Sequence, residues 1–200
     1  MVKKALYILV SSSCALLLSC NNQQSAQNKT SFTKVDSLTE TYLLLQDSLL
    51  HAWNVIAWDE KEKTKAMHGL LKLMSKQEGI DEQQLHSLEQ RLDQLDRIRF
   101  TQKSLANSYV IEEYDFATNS LVTEILSLAE ADSELMKIET TQKLVDKIKL
   151  ADQRVGDLRT EYDKVAIRYN HFIVKNKRYL DEIDKDCSGE KRALFHMTSD

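Results

Sequence analysis

The sequence predicts an all-α protein, an antiparallel up-and-down bundle of about four long helices. Three observations carry this expectation. The 200-residue chain has no proline and only four glycines, so very little in it interrupts a helix. Its apolar residues recur at alternating steps of three and four, a spacing that lays one stripe along a helix and packs it against another. The periodic runs are long and separated by short polar stretches, which suits antiparallel neighbours.

The first helix is expected to start at Thr33, a capping residue with Asp36 three positions on. Val35, Leu38, Tyr42, Leu45, Leu49, Ala52 and Ile56 then form a heptad seam that continues to Ala66, Leu70 and Leu73. Asp59 and Lys63 occupy two positions of that seam. They are spaced to pair with each other; alternatively the helix kinks or breaks over 59–65. It should end near Gly79. A second start signal follows, with Asp81 as cap, Gln84 reaching back and Ile80 stapled to Leu85. Leu85, Leu88, Leu92 and Leu95 carry this second helix, which is expected to run through Leu105 towards Tyr109.

A polar break over Glu112–Asn119 should precede a shorter, well-buried helix from Leu121 to Ala131. The last helix has the most regular seam: Leu144, Ile148, Ala151, Val155, Leu158, Tyr162, Val165, Tyr169 and Phe172 follow without a miss. Four heptads make a rod of roughly 40 Å. From Asp184 the tail is polar and is expected to fray.

The chain start carries a different signal. Lys3 and Lys4 precede a stretch, Ala5 to Leu18, that is apolar or small throughout. It falls short of the ~20 apolar residues a bilayer span takes, and so reads as a cleaved export signal. Leu17-Leu18-Ser19-Cys20 resembles the lipobox of bacterial lipoproteins, in which the cysteine thiol takes diacylglycerol through a thioether and becomes the first mature residue. The polar stretch Asn21–Ser31 then reads as a flexible tether. Asn21 is not the aspartate that retains many lipoproteins in the inner membrane, so the outer membrane, periplasmic face, is the expected location. The expected organisation is a signal peptide over 1–19, lipidated Cys20 and tether over 20–32, a helical bundle over 33–180 and a polar tail over 181–200.

Cysteine count and charge narrow the function. With Cys14 in the signal and Cys20 acylated, Cys187 is left without an intrachain disulfide partner. Loss of Lys3 and Lys4 takes the basic residues from 27 to 25 against 31 acidic ones, a net charge near −6. That gives no electrostatic case for nucleic acid. Di-iron bundles use Glu-x-x-His pairs, and the residues three before the histidines here are Ser48, Lys65, Gln83, Arg168 and Ala193. Asp47 with His51, and Glu82 with His86, are isolated helical pairs. No HExxH, CxxCH or glycine-rich phosphate loop occurs. The expectation is therefore a protein with no catalytic site, metal or cofactor.

The first and last helices resemble those of the LemA family. Ala52-Trp53-Asn54-Val55-Ile56 is similar to the family's Ala-Trp-Ser-x-Ile. Asp152-Gln153-Arg154-Val155, then Arg159, Tyr162-Asp163 and Tyr169-Asn170, follow its acidic-Asn-Arg-Ile stretch, arginine and two Tyr-Asn pairs. The chain departs from the pattern at Glu62-Lys63, where the family has two arginines, at His68, where it has proline, and at Asp163. The segment Ala131–Leu135 stands where the family has Tyr-Pro-Asp-Leu. The resemblance implies a membrane-associated helical bundle with its last helix packed on its first, and no enzymatic activity. The expected role is a scaffold or protein-interaction module, held at the membrane by its N-terminal lipid and binding an envelope protein or a second copy. Trp53, Trp58, Arg159 and Arg168 are the candidate partner-binding residues. The alternative is a small-molecule-binding or sensory bundle, for which Asp59 and Lys63 are the inward-facing candidates.

Overall fold

A computed structural model of the chain describes residues 32–186 and 189–196. The chain divides into two units, Met1–Thr33 and Lys34–Asp200. The acylation site Cys20, the tether and Cys187 lie outside the described residues. Among the described residues there are five α-helices and no strand, so the protein is all-α. No described helix is long and apolar enough to cross a membrane.

Helix α1 spans Lys34–Met74 without interruption, 41 residues and about 60 Å. It passes straight through 59–65, because Asp59 and Lys63 are each neutralised by a partner other than one another. Asp59 is ion-paired with Arg154, and Lys63 with Glu60. The helix stops five residues before Gly79, which takes φ +88° in the turn, a conformation open to glycine.

Helix α2 spans Glu82–Arg97. Asp81 caps it as expected, its carboxylate accepting from the N–H groups of Gln83 at 2.9 Å and Gln84 at 3.3 Å. Asp81→Ala should therefore lower stability by about 1 kcal/mol, read as a fall in the urea midpoint at unchanged m-value. The helix does not run on towards Tyr109. It ends at Ile98, and residues 98–107 form a connection with one 3₁₀ turn, Ser104–Ala106. The turn is tied off where the Thr101 N–H donates to Ser104 Oγ at 2.7 Å. Leu105 leaves the helical pattern here because it packs in another part of the core, and Phe100 bridges the two parts.

Helix α3 spans Ser108–Ala131, so the break expected over 112–119 is absent. Glu112, Glu113, Phe116 and Asn119 are its outer face, while Ile111, Tyr114, Thr118 and Leu121 point inward at helical spacing. Helix α4 spans Glu139–Lys175, 37 residues and about 55 Å. A short α5, Leu180–Ile183, follows.

The pairings run in opposite sequence order. On α1 and α4, Tyr42 meets Tyr169, Trp53 meets Tyr162, Asp59 meets Arg154 and Glu62 meets Lys147. Arg91 of α2 holds Glu124 of α3, and Asp115 and Glu130 of α3 meet Arg159 and Lys149 of α4. Because α2 and α3 are shorter than α1 and α4, they complete the core along only part of the α1–α4 pair. One apolar cluster gathers Leu70, Met74, Leu92, Leu95, Ile125 and Ile148 from all four helices. A second gathers Tyr42, Leu49, Ile56, Tyr162, Tyr169 and Phe172 from α1 and α4, with Leu105 and the tail residues Leu194 and Phe195. Residues 189–196 of the tail are therefore not frayed: the apolar Ala193-Leu194-Phe195 run folds back onto the second cluster.

Candidate functional site

A buried polar layer lies between the two clusters in α1, with charged Asp59, Glu60 and Lys63 and the hydroxyl of Thr64. It arises because the α1 seam carries charged residues where α3 and α4 can answer them. Glu60 accepts from Lys63 Nζ and from the Tyr114 hydroxyl, both at 3.1 Å. Thr64 Oγ1 accepts from Arg99 at 3.3 Å. Asp115 of α3 takes both amino groups of Arg159 at 2.6 Å. The Asp115 carboxylate holds the Arg159 guanidinium charged although burial works against it. A cavity of about 60 Å³, edged by Trp53, Glu60, Phe100 and Tyr114, opens beside this layer.

Next to the layer sits an aromatic junction. Trp53 meets Tyr162 and Phe100 edge-on at 5.8 and 5.9 Å and stacks on Phe195 at 6.3 Å. The Arg159 guanidinium covers Phe195 at 5.0 Å and Phe100 at 5.6 Å, a cation–π arrangement. Asp163, just beyond, accepts from the N–H groups of Phe195 and His196 at 2.8 and 2.9 Å.

The seam geometry gives the α1–α4 pair two different flanks. Leu44, Ser48, His51 and Val55 each precede a seam position of α1, and Glu161 and Arg168 precede Tyr162 and Tyr169 on α4. These residues line an open groove of about 550 Å³ with an apolar floor that includes Leu158 and Val165. Asp163 and Asn170 follow the same two tyrosines and hold the tail on the other flank.

The four candidate partner residues do not form one surface. Trp53 and Arg159 converge on Phe100 and Phe195 in the junction. Arg168 borders the groove on the other flank. Trp58 is 59% exposed and shares neither site. Asp59 and Lys63, the inward candidates for a ligand, are buried in ion pairs and line neither cavity. Phe100, Asp163, Asn170 and Phe195 were not picked out as site residues by the periodicity. Their signal lay in the Tyr169-Asn170 pair and in the apolar triplet of an otherwise polar tail.

The charged groups of the buried layer are paired. Its carboxylates are held by cations or hydroxyls, and its phenols stay protonated. Burial, and then the Glu60 carboxylate, push the Tyr114 phenol up. Burial pushes Tyr162 up from 10.0 to about 12. The unfolded chain therefore loses these protons first as pH rises. Stability should be complete below pH ~10 and fall from there towards pH ~12, by on the order of 2 kcal/mol for Tyr162. Urea midpoints from pH ~9 to ~12 would measure the fall, and Tyr114→Phe should make it shallower. Among the described residues, no group of three or more His, Cys, Asp or Glu could hold a metal ion.

No family model, no curated protein and no solved structure matches this chain.

Proposed function

We propose that the protein is a lipid-anchored envelope protein, non-enzymatic and LemA-like, whose helical domain serves as a scaffold that docks a helix of another envelope protein. The anchor reading rests on Leu17-Leu18-Ser19-Cys20 after a basic start and an apolar run. The LemA likeness rests on the residues of α1 and α4 quoted above. The single observation that carries the docking role is the groove between Leu44–Val55 of α1 and Leu158–Arg168 of α4. Its two helical walls and three-turn length, about 16 Å, suit an amphipathic helix laid along them. Asp47 and Glu161 against Arg168 put both signs of charge on its edges, which would fix a partner's orientation.

Photo-crosslinking in intact cells tests the docking role. Probes at His51 and Arg168 should capture one common envelope protein, while a probe at Leu150, exposed but outside the groove, should not. Equal capture at all three positions, or none, would remove the docking role. Cys20→Ser tests the anchor separately: it should abolish labelling by a palmitate analogue. Undiminished labelling would reject Cys20 as the acylated residue.

A second reading, a small-molecule-binding bundle, draws on the volume of the same groove, which lies within the range of ligand pockets. A rise in melting temperature with a small amphiphile, abolished by Val55→Arg, would favour it.

A further inference from the structure

The C-terminal tail is held on α4 in the manner of a bound peptide. Asn170 takes both main-chain groups of Arg192: its Nδ2 donates to the carbonyl at 2.8 Å and its Oδ1 accepts from the N–H at 2.7 Å. One carboxamide that satisfies both groups of a residue reads an extended backbone and disregards the side chain. Asp163, 7% exposed, accepts from the N–H groups of Phe195 and His196 and from the His196 ring at 3.0 Å.

The spacing of the two clamps matches the segment they hold. From 163 to 170 along a helix is about 10.5 Å. From 192 to 195 along an extended chain is about 10 Å. The segment runs against α4, with the Phe195 ring seated between Trp53, Phe100 and Tyr162 at 5.5–6.3 Å.

Two features separate this site from an ordinary chain end. The residues that build it are fixed without the tail: Tyr162 belongs to the α1–α4 seam, Trp53 packs on it, and Phe100 packs on Tyr114 at 4.9 Å. The segment contributes no regular element, and none of its residues from Lys191 to His196 is fully buried. It behaves as a ligand on a preformed surface.

We propose that this flank of α4 is a peptide-binding site that takes residues 189–196 in trans, from a second copy of the chain, as well as in cis. The occupant is a second copy because its tail carries the sequence already seated in the site. Asp184 to Arg192 can span up to about 27 Å, enough to reach a neighbour beside α4. Exchange keeps every contact, so cis and trans differ only in the closure of that connection and in protein concentration. The inference does not rest on the groove reading, since the two sites lie on opposite flanks.

Complementation between full-length chains in mild detergent tests it. Phe195→Ala leaves the site intact and spoils the tail; Asn170→Ala leaves the tail intact and spoils the site. Each variant labelled with donor and acceptor should give no energy transfer alone, and their mixture should. A fluorescent peptide of residues 189–200 should bind the Phe195→Ala chain and bind the Asn170→Ala chain about tenfold more weakly. Melting curves near wild type establish that both variants fold. A mixture that gives no transfer although the peptide binds would overturn exchange in trans. A peptide that fails to bind a folded Phe195→Ala chain would overturn the site itself. Transfer in either single variant alone would place self-association elsewhere and also overturn the proposal.

Discussion

Lys63→Ala should destabilise the fold by roughly 3–5 kcal/mol. The side chain is almost completely buried, as is its partner Glu60 3.1 Å away. Removing the ammonium leaves a buried carboxylate without its ion-pair partner, with the Tyr114 hydroxyl still donating to it. Broken pairs of this kind cost far more than the intact pair contributes. The combined change Glu60→Gln with Lys63→Met removes both charges and keeps an acceptor for Tyr114. It should return to within about 1 kcal/mol of wild type, so the two single substitutions are strongly coupled. Urea unfolding of the four species measures the coupling. A cost below ~1 kcal/mol for Lys63→Ala would mean that water reaches the layer.

Tyr162→Ala should cost about 3–5 kcal/mol. This ring is fully enclosed, and it meets both Trp53 and Phe195 within 5.8 Å. Truncation opens a cavity beneath the tail as well as in the α1–α4 seam. It should therefore weaken the hold on Phe195, and trypsin should cut at Lys191 and Arg192 faster than in wild type at a temperature where both remain folded. Tyr162→Phe keeps the ring, and should change stability by under ~1 kcal/mol. Equal losses in the two variants would shift the weight from the ring to the hydroxyl.

The fold was legible wherever one stripe of residues faced one neighbour. The α4 seam predicted its helix because Leu144 to Phe172 all serve the same packing direction. The α2–α3 connection was misplaced for the opposite reason. Leu105 extends an apolar pattern from α2 but packs in the second cluster, and Phe100 packs against both; periodicity cannot tell which core an apolar residue joins. Over 112–119 the polar residues read as a gap in the sequence but form the wet face of α3, whose inward residues lie between them. Trp53 and Arg159 were legible as unusual residues beside a seam. Their convergence was not, because Phe195 reaches them from the far end of the chain and Asp115 from another helix.

The buried charges on α1 also act as a registration mark. A heptad seam nearly repeats itself, so two long helices could slide past each other by seven residues and still bury most of their apolar stripes. Here such a slip is penalised in both directions. Moved one way, Glu62 meets Arg154 but the buried Asp59 leaves that arginine for Glu161, a like charge. Moved the other, Asp59 meets Lys147 but Glu62 leaves Lys147 for Thr140 and keeps its neighbour Lys65 on the same helix, so one of the two pairs between the helices is lost. The ion pairs thus give a repetitive interface one preferred alignment. Neutralising them should yield a chain that is no less helical but populates more than one pairing of α1 with α4, visible as multiple distances between spin labels on the two helices.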